Sequence, residues 1–269
     1  MSSELNKERP EVRLRVFRAI DEPETCELFI QGHTHVLTSI GVTKVTSSKN
    51  EWAQNPAAFV MIVESMDGKK VYGGARVHVA GGTEHLPIEL ATGAMDASVF
   101  NLVWQYAQQG TGEVCGLWNS REIAGYGIGS IFLVRAAVAI SREIGVQSLF
   151  ALCAPYTIPS AEAVGMEREY SIGNEGTFYY PKLDLIATAM LLKDVPTLSK
   201  AHEEDKNAIM RIRENMNVTR VEALRKKEIT IHYETRIPNL DRWDLKATIL
   251  QAKTLFSKST INSSDPEII

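Results

Sequence analysis

Apolar positions recur along this chain with two periods, and the change from one to the other marks out its elements. Val12, Leu14 and Val16 stand against Arg13, Arg15 and Phe17, a period of two that predicts a strand over 12–19. Asp21 and Pro23 then occupy the positions where helices begin, and Glu22–Ile30 is predicted helical. Phe59, Val60, Ile62 and Val63 form a continuous apolar run within 57–64, the Asp67-Gly68 pair supplies a turn, and Val71–Val79 returns. The natural reading is a β-hairpin. Its second strand carries Val71, Ala75, Val77 and Val79 on one face, leaving Tyr72, Arg76 and His78 on the other, where Arg76 and His78 would line a cleft or face water.

The period then lengthens. Val99, Phe100, Val103, Trp104 and Ala107 form one helical stripe between a cap at Asp96 or Ser98 and a stop at Gly110. A strand at Glu113–Trp118 leads to the cluster Gly125-Tyr126-Gly127-Ile128-Gly129, and Ile131–Ile144 is a second helix, ended by Gly145. Ser148–Ala154 reads as a strand, Pro159–Val164 as a short helix, and Phe178–Tyr180 and Leu185–Leu192 as further strands. This order predicts an α/β or α+β fold, with strands bracketing the glycine cluster.

Beyond Pro196 the charge density rises, while Ile209, Met210, Ile212 and Met216 keep a helical spacing. Mixed signs of charge argue for a solvated helix within 197–228, packed by one face. Glu228–Tyr233 is a strand candidate, and Asp241–Phe256 a last helix carrying Trp243, Leu245, Ile249, Leu250 and Phe256. The organisation expected is a disordered 1–10, a principal domain over 11–196, a docked helical extension over 197–258 and a loose tail over 259–269. The extension would wall a cleft, or form part of a homodimer interface, or only add stability.

Composition narrows the classes. The chain has 269 residues, 44% of them hydrophobic and 23% charged, with a net charge of −4. That excludes wholesale disorder, and no electrostatic footprint for duplex nucleic acid exists. No apolar stretch approaches the ~18 residues that span a bilayer, and the N-terminus lacks an apolar signal core. Cys26, Cys115 and Cys153 are odd in number and lack metal-ligand spacing, so they fit reduced thiols in a cytoplasmic protein. Four histidines, His33, His35, His78 and His85, could bind a metal only by converging, and no metal is expected.

A strand, a glycine-rich turn and a helix together offer unpaired backbone N–H groups and a helix dipole to an anion. Ordinary tight turns give the same string, so the alternatives must be tested against it. A P-loop needs Lys-[Ser/Thr] after its last glycine, where this chain has Ser130-Ile131. A dinucleotide fold needs G-x-G-x-x-G and a carboxylate ending the next strand, where this chain has Cys153-Ala154-Pro155. Neither fits.

The run from Leu117 to Ser130 resembles the acyl-CoA loop of the GNAT N-acetyltransferase superfamily. That loop reads [Arg/Gln]-x-x-Gly-x-[Gly/Ala] after the fourth strand. Gly127 and Gly129 match its glycine slots, and Ala124 stands where Arg or Gln is usual. The following helix, strand and short helix, then Gly165-Met166 in place of Gly-Phe, extend the resemblance over 113–166, and upstream elements match by order. The resemblance implies a mixed, mostly antiparallel sheet flanked by helices, binding acetyl-CoA or another acyl-CoA as co-substrate. Leu117, Trp118 and Asn119 would pair with the pantetheine arm, with a backbone N–H near Leu117 polarising the acyl carbonyl. The amides of Ala124, Gly125, Tyr126, Gly127, Ile128, Gly129 and Ser130 would hold the pyrophosphate.

Activity is implied in the same way: transfer of an acetyl or other short acyl group from acyl-CoA to the amine of a small molecule or peptide. Glu113 is where relatives place a carboxylate base, against the alternative of a solvent-facing strand end. The tyrosine that protonates the leaving thiolate in relatives is replaced by Ala161, with Tyr156 nearby but out of register. Leu86-Pro87-Ile88-Glu89 is similar to a segment of the acyl-homoserine-lactone synthase branch of the fold. Two other classes therefore stay open. One is a synthase using longer chains from CoA or an acyl carrier protein. The other is a CoA-binding module without turnover, suggested by Ala124 and Ala161.

Overall fold

The computed structural model describes residues 9–39, 41–42, 50–181, 184–224 and 226–262, with the side chains of 259–262 outside that description. Residues 1–8 and 263–269, most of the expected N- and C-terminal tails, lie outside the described residues. Ten strands form one sheet: β1 (Glu11–Arg18), β2 (Ala58–Glu64), β3 (Val71–Val79), β4 (Thr111–Asn119), β5 (Ser148–Cys153), β6 (Glu167–Arg168), β7 (Thr177–Tyr179), β8 (Ile186–Leu192), β9 (Asn217–Leu224) and β10 (Lys227–Glu234). Their order is β6-β8-β5-β4-β3-β2-β1-β10-β9, with β7 also on β8. Only β1/β10 and β4/β5 are parallel pairs, so the sheet is mostly antiparallel, as expected.

Helices cover both faces: α1 (Pro23–Ser39), α2 (Pro87–Thr92), α3 (Ser98–Ala107), α4 (Leu133–Ile144), α5 (Ile158–Ala163), α6 (Glu203–Glu214) and α7 (Leu245–Asn262). Alternation decides which residues face which layer. Leu14, Val16, Met61, Val63, Ala75 and Val77 join Ala136, Val138 and Ile140 of α4 and Ile209 and Ile212 of α6 in the largest core. On the opposite face Phe17, Val60 and Ile62 meet Cys26 and Phe29 of α1. Arg135 of α4 donates to Asp205 of α6 at 2.8 Å, a buried charge pair joining the two helices.

The helical extension is corrected in part. The helix within 197–228 is confined to α6, and residues 217–234 form a β-hairpin that extends the sheet along β1. In place of a solvated helix, Arg220 and Glu222 alternate with Val221 and Ala223 on an edge strand, where charges also discourage further pairing. Ile229, Ile231 and Tyr233 are buried against β1, so this segment is core and not appendage. The last helix begins later than expected and runs to Asn262, past the boundary set for a loose tail. Trp243 anchors its start, with Nε1 donating to the Ile144 carbonyl at 2.9 Å.

Arg76 and His78 require the second correction. They face neither cleft nor water: Arg76 is 0% exposed and His78 is 2% exposed. Phe29 of α1 and Trp52, from a helical turn at 50–54, cover Arg76, whose guanidinium lies 4.1 Å from the Trp52 ring centroid. A face with an arginine and a histidine looks solvated in a linear pattern, but aromatic rings can roof a guanidinium.

Candidate functional site

Strands β4 and β5 pair only from Thr111 to Glu113 against Ser148 to Phe150, and then part. The cause is local to β4. Gly74 pairs with Trp118 but Arg76 pairs with Cys115, so β4 takes three steps where β3 takes two. Such a bulge bends its strand and strengthens the twist. Gly116 sits in it at φ 59°, a left-handed conformation, and a Cβ there would meet the Arg76 guanidinium at 2.8 Å. Between the parted strands lies a cavity of about 180 Å³, walled by Val114, Gly116 and Leu117 of β4, Ala151 and Cys153 of β5, Val134, Ala161 and Met166, with His33 and Tyr156 on its border.

One end of β4 runs straight into the glycine loop. Gly125 and Gly127 take φ values of 84° and 83°, and Gly127 opens a kinked turn, Ile128–Phe132, in which Ser130 leaves helical geometry before α4 begins. Three amides of the loop are used internally: Ala124 donates to Arg121 O, Tyr126 to Ile123 O and Ser130 to Gly127 O. Those of Gly125, Gly127, Ile128 and Gly129 have no backbone acceptor among the described residues, so they are the donors left for an anion. A Cβ on Gly127 would press on Phe132 at 2.6 Å, and one on Gly129 would fall 1.8 Å from Asn119 Oδ1. Both glycines are therefore required sterically.

The expected site residues are only partly brought together. Leu117, Tyr156 and Ala161 meet at the cavity, with Tyr156 80% exposed at its mouth rather than packed. Asn119 does not line the cavity; it lies against Gly129 of the loop, and its Nδ2 donates to Ser120 O at 2.8 Å. The Trp118 indole instead points to the α1 layer, against Phe29 and Gly32. Glu113 is neither a solvent-facing strand end nor a wall of this cavity: it is 2% exposed behind β4. Its Oε2 accepts the Ile88 N–H at 2.7 Å, at the start of α2. Burial pushes its carboxyl up to about 8; Glu89 adds to the rise, and the Ile88 N–H and Arg76 oppose it.

His33 is the group sequence reasoning missed. Its ring borders the cavity and packs edge-on to Phe29 at 5.9 Å. Burial, helped by the Arg76 charge, lowers it to about 4, so the imidazole is neutral near pH 7. Cys26, Phe29 and His33 form one inward stripe of α1. A helix ended at Ile30 hides the third member. Cys115 and Cys153 are held as thiols, pushed up to about 12 and about 11 by burial, which suits packing and not nucleophilic attack. Among the described residues no group of three or more His, Cys, Asp or Glu is arranged to hold a metal, and no helix is long and apolar enough to cross a membrane.

A mixed sheet parted between its fourth and fifth strands, with a glycine loop and helix closing the gap, is the GNAT fold. No protein-family model matches the chain, and no curated protein matches it in sequence. Among solved structures it is similar to FeeM, an N-acyl amino acid synthase from uncultured soil microbes, with TM-score 0.52 and 16% identity over 71% of this chain and 94% of that one. It is similar also to BjaI, a CoA-dependent acyl-homoserine lactone synthase solved with SAM and isopentyl-CoA, with TM-score 0.50 and 9% identity over 90% of this chain and 99% of that one. At such identities the likeness is one of fold.

Proposed function

We propose that this protein is an N-acyltransferase that moves an acyl group from acyl-CoA to the amine of a small molecule. The observation that carries the reading is the pairing of two features along β4: a cavity where it parts from β5, and, beyond its end, a loop with four amides that have no backbone acceptor among the described residues. In this reading the pantetheine arm lies along β4 beyond Glu113, where that strand has no β5 partner, and the pyrophosphate rests on the amides of Gly125 to Gly129. The amine nitrogen attacks the thioester carbonyl, a C–N bond forms as the C–S bond breaks, and a β4 backbone N–H near Leu117 stabilises the oxyanion. The proton lost by the amine meets the neutral His33 imidazole on the cavity wall, which passes it on to solvent; Glu113, buried behind the strand and protonated near pH 7, does not take it. Tyr156 at the mouth protonates the departing thiolate.

A second reading, transfer of a longer chain to an amino acid or related amine, is favoured by the cavity itself. About 180 Å³ of mainly apolar space exceeds the ~150 Å³ that accommodates a benzene-sized molecule, and Ala161 leaves open what a tyrosine would fill. FeeM and BjaI, which share the fold, are described as synthases of acylated amino compounds. A phosphopantetheine arm on an acyl carrier protein would present the same thioester. The free cysteines suit a reducing cytoplasm. Assembly as a homodimer is part of the same proposal, and sedimentation of the purified chain decides it.

Thiol release from acetyl- to decanoyl-CoA, with a panel of amines and amino acids, tests the reading. Amine-dependent release with one of these donors is the expected result. CoA binding without release for every pair would instead assign a binding module.

A further inference from the structure

The loop pattern that identifies a CoA site normally opens on Arg or Gln, and this chain has Ala124 there. The fold brings a cation to that point from elsewhere. Lys227, the first residue of β10, donates from Nζ to the Ala124 carbonyl at 3.1 Å and lies 4.6 Å from the Tyr126 ring centroid. Its Nζ would also be 3.2 Å from a Cβ at Gly125, while Leu224, at the end of β9, would be 3.2 Å from one at Gly127. The ends of β9 and β10, Leu224 and Lys227, are therefore seated on the glycine loop. The side chain is exposed, so its charge is available to a ligand.

We propose that Lys227 supplies the cation of the pyrophosphate site, in place of the side chain that Ala124 lacks. The assignment rests on the acyl-CoA reading. The amides of Gly125, Gly127, Ile128 and Gly129 are left for an anion, and the ammonium reaches the same loop from the hairpin. An ion pair to phosphate joins two opposite charges and is stronger than the ammonium's bond to the uncharged Ala124 carbonyl that it would extend or replace. It also gives residues 217–234 a part in donor binding as well as in the sheet.

The experiment compares wild type, Lys227→Gln and Lys227→Arg by calorimetric titration with CoA, 3′-dephospho-CoA and pantetheine. The expected result is about tenfold weaker binding of both CoA and 3′-dephospho-CoA by Lys227→Gln, affinity restored by Lys227→Arg, and pantetheine unaffected. Unchanged CoA affinity in Lys227→Gln overturns the assignment, as does an equal loss for pantetheine, which would mean the hairpin only shapes the loop. A loss confined to CoA, absent for 3′-dephospho-CoA, overturns it in favour of the ribose phosphate. A wild-type protein that binds none of the three refutes the acyl-CoA reading itself, and this assignment with it.

Discussion

Replacing Glu113 by Gln tests whether the buried carboxyl is held protonated. In the folded protein it titrates at about 8, against an ordinary 4.5, chiefly because burial penalises the charge. Between these values the folded chain keeps a proton that the unfolded chain has released. Folding therefore takes up a proton, and stability falls as pH rises. The contribution is fully present below pH 4.5 and is lost by pH 8. At about 1.4 kcal/mol per pH unit over that interval, the loss reaches about 5 kcal/mol. Gln is isosteric with the neutral acid, can still accept the Ile88 N–H, and does not titrate. Urea unfolding followed by tryptophan fluorescence should give similar stabilities for the two proteins near pH 5. The variant should then gain several kcal/mol on the wild type by pH 8.5. A difference that stays constant over this range would refute the reasoning. A difference of opposite sign would mean that Glu113 is ionised and held by Arg76.

Three further outcomes follow from packing. Gly127→Val adds a Cβ 2.6 Å from the Phe132 ring at φ 83°, so circular dichroism melts should show about 1–3 kcal/mol of lost stability, and CoA affinity should be abolished. Ala161→Phe fills the cavity between β4 and β5 and should lower the octanoyl-to-acetyl ratio of kcat/KM at least about tenfold, as read by thiol release. Truncation after Pro196 removes buried Ile209, Ile212, Ile229, Ile231 and Tyr233, each worth about 2 kcal/mol, which together rival a whole domain's stability. The truncated chain should be insoluble or unfolded, and a folded, active monomer would show that the hairpin is dispensable.

Most elements between residues 11 and 196 were legible because their signals are local. Val12–Val16 alternate, Gly145 stops α4 in a left-handed turn at φ 95°, and three spaced glycines need no distant partner to mark a loop. What escaped depends on contacts far apart in sequence. Arg76 looks solvated until Phe29 and Trp52 cover it, and Glu113 looks exposed until α2 sets its Ile88 amide on the carboxylate. Residues 217–224 carry two charges, Arg220 and Glu222, spaced as on one strand face, but the mixed charge of the longer 197–228 stretch hides that period, which the pairing with β10 realises. Lys227 lies 103 residues from Ala124, so no local pattern could join them. His33, weighed only as a metal ligand, was missed as a site group for a simpler reason: the helix was ended at Ile30, nine residues before Ser39.

The central claim is that the parted strands and the glycine loop form one acyl-CoA site that serves an amine. Its most direct test is amine-dependent release of CoA thiol from an acyl-CoA, by wild type and Gly127→Val side by side, with product mass read on the amine. The account expects an amine gaining one acyl group for each thiol released by the wild type, and neither signal above background in the variant. Thiol release that does not depend on the amine, or equal acylation by Gly127→Val, would contradict it.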